Sequence, residues 1–155
     1  MKNKEIRPSL IDRLLDSSRV SRDSTYYSVL ELRDSVQRDL QNLLNTRVRF
    51  ISPEKHLKET QDTVVNFGLP DLSSQQLTSE QGKQEFAAWI ERTIKRYEPR
   101  FKSVSVTPVS RKDDVGGVIF RVDAIMYADP APEDICFDSV IDPLTQMISL
   151  SESRQ

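Results

Sequence analysis

Helical periodicity runs through the earlier part of this chain and strand periodicity through the later part, and the change falls at Glu98-Pro99-Arg100. Before it, Phe86, Ile90, Ile94 and Tyr97 recur at spacings of four, four and three, with Ala87 and Trp89 beside them, which predicts one apolar stripe on a helix facing a core. Thr78 with Gln81 predicts a capping box, and Glu91 with Lys95 an i,i+4 pair in the order the helix dipole favours. Pro99 stops the helix, since it has no N–H to donate and pushes the preceding residue out of the α region. After Arg100 the period becomes two. Val104 and Val106 alternate with Ser103, Ser105 and Thr107 up to Pro108, residues 111–117 read as a turn, and Val118, Phe120, Val122, Ala124 and Met126 alternate again. That predicts a hairpin, whose half-apolar second face, with Ile119 and Ile125, predicts partial cover on both sides. A third strand over 135–141, a turn at Asp142 and a fourth strand over 145–150 follow.

Upstream, Leu32, Val36, Leu40, Leu43 and Leu44 predict a helix to about Asn45, with a capping box at Ser28 and Glu31 and a hydrophobic staple from Tyr27 to Leu32. Its other face, Arg33, Asp34, Gln37, Arg38 and Gln41, reads as solvated. Residues 53–68 carry a shorter helix candidate with Leu57, Val64, Val65 and Phe67 apolar, closed by Gly68 and Pro70. Leu10, Ile11, Leu14 and Leu15 make an apolar face too short to stand alone, so it must dock, on its own domain or on a neighbour. The fold class is α+β, with N-terminal helices packed on one face of a small, mainly antiparallel four-stranded sheet. The divisions are an arm over 1–25, a single domain over 26–150 and a frayed tail over 151–155.

Composition narrows the function. A chain of 155 residues with 37% hydrophobic content suits one core, and a net charge of −2 gives no overall pull towards nucleic acid. Charge is uneven, however: residues 1–51 carry ten Lys and Arg against seven acids, and residues 128–155 one against six. No run of 18 apolar residues and no signal-peptide pattern occurs, so neither membrane insertion nor export by that route is expected. The single Cys136 lies in an apolar run and reads as a small hydrophobe, not a nucleophile. The lone His56 has no companion at ligand spacing, four glycines build no phosphate cradle, and no Ser-His-Asp set is defensible, so no metal, cofactor or catalytic residue is assigned.

What remains is the corner itself. Glu98 and Arg100 flank a rigid proline, and a planar guanidinium held there suits bidentate docking of a partner; the plain alternative is a partly exposed ion pair at a helix end. Tyr97-Glu98-Pro99-Arg100-Phe101 after an amphipathic helix, with Asn66-Phe67-Gly68-Leu69-Pro70-Asp71 before it and Phe137-Asp138-Ser139-Val140-Ile141-Asp142 after it, resembles the TssE family of type VI secretion baseplate components, similar to phage baseplate-wedge proteins once labelled lysozymes.

The resemblance implies a structural, non-enzymatic protein in the bacterial cytoplasm, at the baseplate near the inner membrane. It implies docking on the wedge proteins TssF and TssG, with TssK and the sheath proteins TssB and TssC as further partners, and a part in starting the sheath. Arg96, Tyr97, Glu98, Pro99 and Arg100 would form the partner-binding corner, and the final strand would be a sheet edge open to another chain. Gln146 stands where the resemblance leads one to expect glycine. Two other readings stay open: a muramidase with Glu98 as general acid, against which Arg96 and Arg100 argue by lowering a neighbouring carboxylate's pKa, and a generic adaptor domain.

Overall fold

The structure, a computed structural model, describes residues 28–48, 63–74, 77–109, 117–128, 131–142 and 144–153, together with Leu14, His56 and Thr60. The rest of the arm, Tyr27 of the expected staple and half of the 53–68 candidate lie outside the described residues. Two helices, α1 (Val29–Asn45) and α2 (Glu80–Tyr97), pack on one face of an antiparallel sheet of β1 (Phe101–Val109), β2 (Val118–Met126), β3 (Glu133–Ile141) and β4 (Ile148–Glu152), in the order β1-β2-β3-β4. The α+β architecture is the one the periodicities predict.

Helix α1 begins with the predicted capping box, in which Ser28 Oγ accepts from Glu31 N–H and Glu31 Oε2 accepts from Ser28 N–H at 2.8 Å. All five residues of its stripe are buried. Its other face is less solvated than its composition suggests, because Arg33 bonds Glu133 at 2.7 Å and Glu152 at 3.0 Å, and Gln37 reaches the β4 backbone.

Helix α2 starts one residue later than Thr78 and Gln81 predict. Ser79 Oγ accepts from Gly82 N–H at 3.0 Å, and because a glycine stands at the third helical position there is no reciprocal box. Phe86, Ile90 and Ile94 are buried, Tyr97 half-buried. Trp89 leaves the stripe: it is 41% exposed, with the Arg92 guanidinium 6.0 Å from its ring centre. At about 100° per residue, position 89 falls on the ridge beside 86, 90 and 94, and Thr93 takes the inner place instead.

Of the 53–68 candidate, the described residues include Thr60, which is helical, and a single 3-10 turn, Val64–Asn66, with Val64 82% exposed. Gly68 follows at φ +114°, where an added Cβ would collide with the Thr46 carbonyl. This close approach lets Thr46 C=O accept from Leu69 N–H and Leu69 C=O from Val48 N–H, both at 2.9 Å.

The sheet's inner face is Val104, Val106, Phe120, Val122, Ala124, Met126, Ile135, Phe137, Ile141, Ile148 and Leu150, all buried. Its outer face is part-covered at Ile119 and Ile125 and open at Asp123. Strand β4 lies three residues later than 145–150 at its start. Asp142 holds the intervening turn, its Oδ1 accepting from Leu144 N–H at 2.8 Å and its Oδ2 from the Thr145 hydroxyl at 2.9 Å. Ser151 and Glu152 therefore belong to the sheet, not to a frayed tail. Gln146 sits at φ +56°, in the backbone region that favours glycine.

Candidate functional site: the corner between α2 and β1

Glu98 caps α2, its N–H donating to Ile94 C=O at 2.8 Å while its own backbone leaves the helical region. Pro99 is exposed at the tip. Phe101 N–H closes the turn on Glu98 C=O at 3.3 Å, and Tyr127 N–H bonds Arg100 C=O at 2.9 Å as the first rung of the hairpin. The step from helix to strand thus takes three residues.

The side chains do not both project, as the sequence suggests. Glu98 is buried at 5% exposure, and Arg100 folds back against α1. Arg100 Nε donates to Glu98 Oε1 at 2.6 Å, Nη2 donates to Glu98 Oε2 and to Asp39 Oδ2 at 2.7 Å, and Nη1 approaches Ser35 Oγ at 3.4 Å. Glu98 Oε1 also accepts from Arg100 N–H at 3.2 Å. Burial works against the Arg100 charge, but the bonds and fields of Glu98 and then Asp39 outweigh it and raise the guanidinium pKa above its ordinary value. The corner is a fork gripping two carboxylates, one from its own turn and one from a helix 61 residues away.

Tyr97 is pinned beside it, with its ring edge-on to Phe67 at 5.2 Å and its hydroxyl donating to Thr63 C=O at 3.1 Å. Arg96 is exposed. An open groove of about 300 Å³ runs past Arg96 and Tyr97 to Trp89 and Arg92. A larger hollow, about 690 Å³, lies against the outer sheet face near Asp123 and Cys136.

Sequence reasoning missed Ser35 and Asp39. Ser35 is buried at 2% beside the leucine stripe and Asp39 stands four residues on, so the pair belongs neither to the apolar face nor to the outer one. That mismatch was the available signal. Chemically, the corner suits holding better than proton transfer: both Glu98 oxygens are engaged by Arg100, which leaves neither free to protonate a glycosidic oxygen. Among the described residues no group of three His, Cys, Asp or Glu could hold a metal ion. The Cys136 thiol is pushed up to about 11, first by burial and then by its hydrogen bond with Asp123, so little of it is thiolate near neutral pH.

The polar cluster at the corner ties a surface turn of this α+β domain to α1. The chain belongs to the family of baseplate wedge protein gp25, whose model matches residues 30–131. That span holds Asp39, Glu98 and Arg100 and stops short of β4. This membership agrees with the resemblance seen in the corner motif and gives the chain a phage-baseplate-like structural role. No curated protein and no solved structure matches it. No helix among the described residues is long and apolar enough to cross a membrane.

Proposed function

We propose that this protein is a structural baseplate component of a type VI secretion machine, contractile and phage-tail-like, that docks on a wedge of TssF and TssG and helps to initiate the sheath. It works in the bacterial cytoplasm at the baseplate, without enzymatic activity. The observation that carries the reading is the corner within a baseplate wedge family domain. Pro99 stands exposed at the tip of a turn, and the Glu98–Arg100–Asp39 clamp behind it fixes the tip to both helices. A rigid, preorganised tip loses little entropy when a partner closes over it.

Arg96 and Pro99 supply the contact surface, while Glu98 and Arg100 hold it in place and Tyr97 braces it from the side. The groove from Tyr97 to Trp89 extends the surface along α2, with the aromatic and arginine residues in which interface anchors are rich.

Co-purification with TssF and TssG tests the reading. Arg96→Glu and Pro99→Ala are expected to weaken the complex about tenfold or more, as loss of an interface anchor does, with an unchanged thermal melt. Retention of full binding by both variants would remove the corner from the interface, and failure of the wild type to co-purify would remove the partners. A wall-hydrolysis assay comparing wild type with Glu98→Gln addresses the muramidase alternative, and hydrolysis lost in that variant would establish it.

A further inference from the structure

The cations of α2 are not held alike. Lys83 bonds Glu80 at 2.8 Å and Lys95 bonds Glu91 at 2.5 Å, each about one helical turn away. Arg92 has no such carboxylate. Its Nε donates to Ala88 C=O at 3.1 Å, which keeps the guanidinium beside the Trp89 ring and leaves Nη1 and Nη2 without a hydrogen bond among the described residues.

Both residues stand on the groove of about 300 Å³ that runs along α2 towards the corner. Arg96 adds a second guanidinium to its wall, and among the described residues no carboxylate lines it. An indole open to solvent beside a guanidinium with unused donors has the composition of an interface anchor.

The fold also fixes the shape of this groove. Its far wall is formed by Asn66, Gly68 and Val48, and Leu69 N–H and C=O bond Thr46 C=O and Val48 N–H, both at 2.9 Å. Gly68 lies so close to the Thr46 carbonyl that no side chain fits between them. Phe67 packs edge-on against Tyr97, whose hydroxyl donates to Thr63 C=O, and these contacts tie that wall to α2. Walls from three separate stretches of the chain are therefore set relative to one another before a partner arrives.

We propose that this groove seats an acidic stretch of a partner polypeptide. One of its carboxylates takes the two Nη groups of Arg92 in the bidentate mode, and an apolar or aromatic side chain next to that carboxylate covers the Trp89 indole. Two guanidinia with no acid among them select a negative charge, and the indole beside them selects an apolar neighbour. A nucleic acid strand fits less well, because it needs a row of cations along its phosphates, and Lys95, a neighbouring cation of α2, is neutralised by Glu91. The inference rests on reading the protein as a docked assembly component, and goes beyond it by fixing the charge and character of what docks.

Trp89 is the only tryptophan of the chain, so its emission reports on the groove directly. The probes are a blocked synthetic peptide of Asp and Glu around one Phe, and its twin with Asn and Gln in place of the acids. Titrated into the full chain at low salt, the acidic peptide should shift the Trp89 emission to the blue and saturate, while the neutral twin leaves it unchanged. The Trp89 indole N–H, followed by NMR, is the second readout. Arg92→Gln should weaken the acidic peptide about tenfold or more, the loss expected for a charge-assisted pair. Lys102→Gln, which removes an exposed cation outside the groove, should keep the wild-type affinity. If Arg92→Gln melts early, Arg92→Lys replaces it, since it keeps the charge, loses the fork and should also weaken the peptide. Absence of a saturable response in both readouts overturns the proposal. So does an equal response to the neutral twin, a loss in Lys102→Gln as large as in the Arg92 variant, or a thymidine oligonucleotide that binds as tightly as the peptide. None of these measurements involves TssF or TssG, so they can fail while the baseplate reading stands, and the reverse.

Discussion

Arg100 Nη2 donates to Asp39 Oδ2 at 2.7 Å, and this bond joins the corner after α2 to the middle of α1. The two helices touch one another only lightly and pack mainly on opposite margins of the sheet, α1 along β4 and α2 along β1. Arg100 is therefore a cross-brace between elements that the core alone holds apart.

Removing the brace should destabilise the fold as well as the docking surface. Arg100→Ala leaves the Glu98 carboxylate buried without its cation, at an expected loss of about 2–4 kcal/mol once the partial exposure of Arg100 is allowed for. Asp39→Asn, at a more exposed position, should lose about 1 kcal/mol. Chemical denaturation of the two variants checks the order. In sequence Arg100 suggests a docking group; its bonds to Glu98 and Asp39 make it a stabilising one as well.

Ile94→Ala should lose about 2–5 kcal/mol, because Ile94 is fully buried one turn before the corner. Trp89→Ala should change stability little, its ring lying outside the core. An Ile94→Ala protein with the wild-type denaturation midpoint would mean that the inner face of α2 is misplaced.

Gly68→Ala should lose more than about 1 kcal/mol, since it combines a left-handed backbone with a collision against a main-chain carbonyl. Because the obstacle is backbone, no rotamer change relieves it. Thermal melts of Gly68→Ala and of Gly82→Ala, a helical position, make the comparison.

Stability should fall on acidification. Glu91 is held below the usual carboxylate range by its bond from Lys95 and then by Val106 N–H, Asp71 by Ser73, and Asp142 by Leu144 N–H and then Thr145. Each pKa is lower folded than unfolded, so the stabilisation is complete above the unfolded value near 4 and is lost as pH falls through the folded values. A melt series from pH 7 to pH 2 should show that limb, and Asp142→Asn should flatten it.

How much of this was legible beforehand follows from the range of the interactions. The α1 stripe, the hairpin and the stop at Pro99 rest on periodicity and on a single residue's backbone chemistry, and the structure matches them. The start of β4 does not, because the Asx turn at Asp142 draws residues 145–147 out of the strand by side-chain bonds that alternation cannot register. The corner residues were visible as a group, since they are adjacent in sequence. Their direction was hidden, because Asp39 and Ser35, which turn Arg100 inward, lie more than sixty residues away and have no spacing relation to it.

The rung from Tyr127 N–H to Arg100 C=O has a mechanical meaning. Pro99 stands next to the residue that opens the β1–β2 ladder, so a load applied at the tip enters the sheet without passing through a loop. Pulled along the strand, the rungs from Phe101 to Val109 bear that load together instead of opening one after another, and the corner behaves as a stiff handle on the sheet.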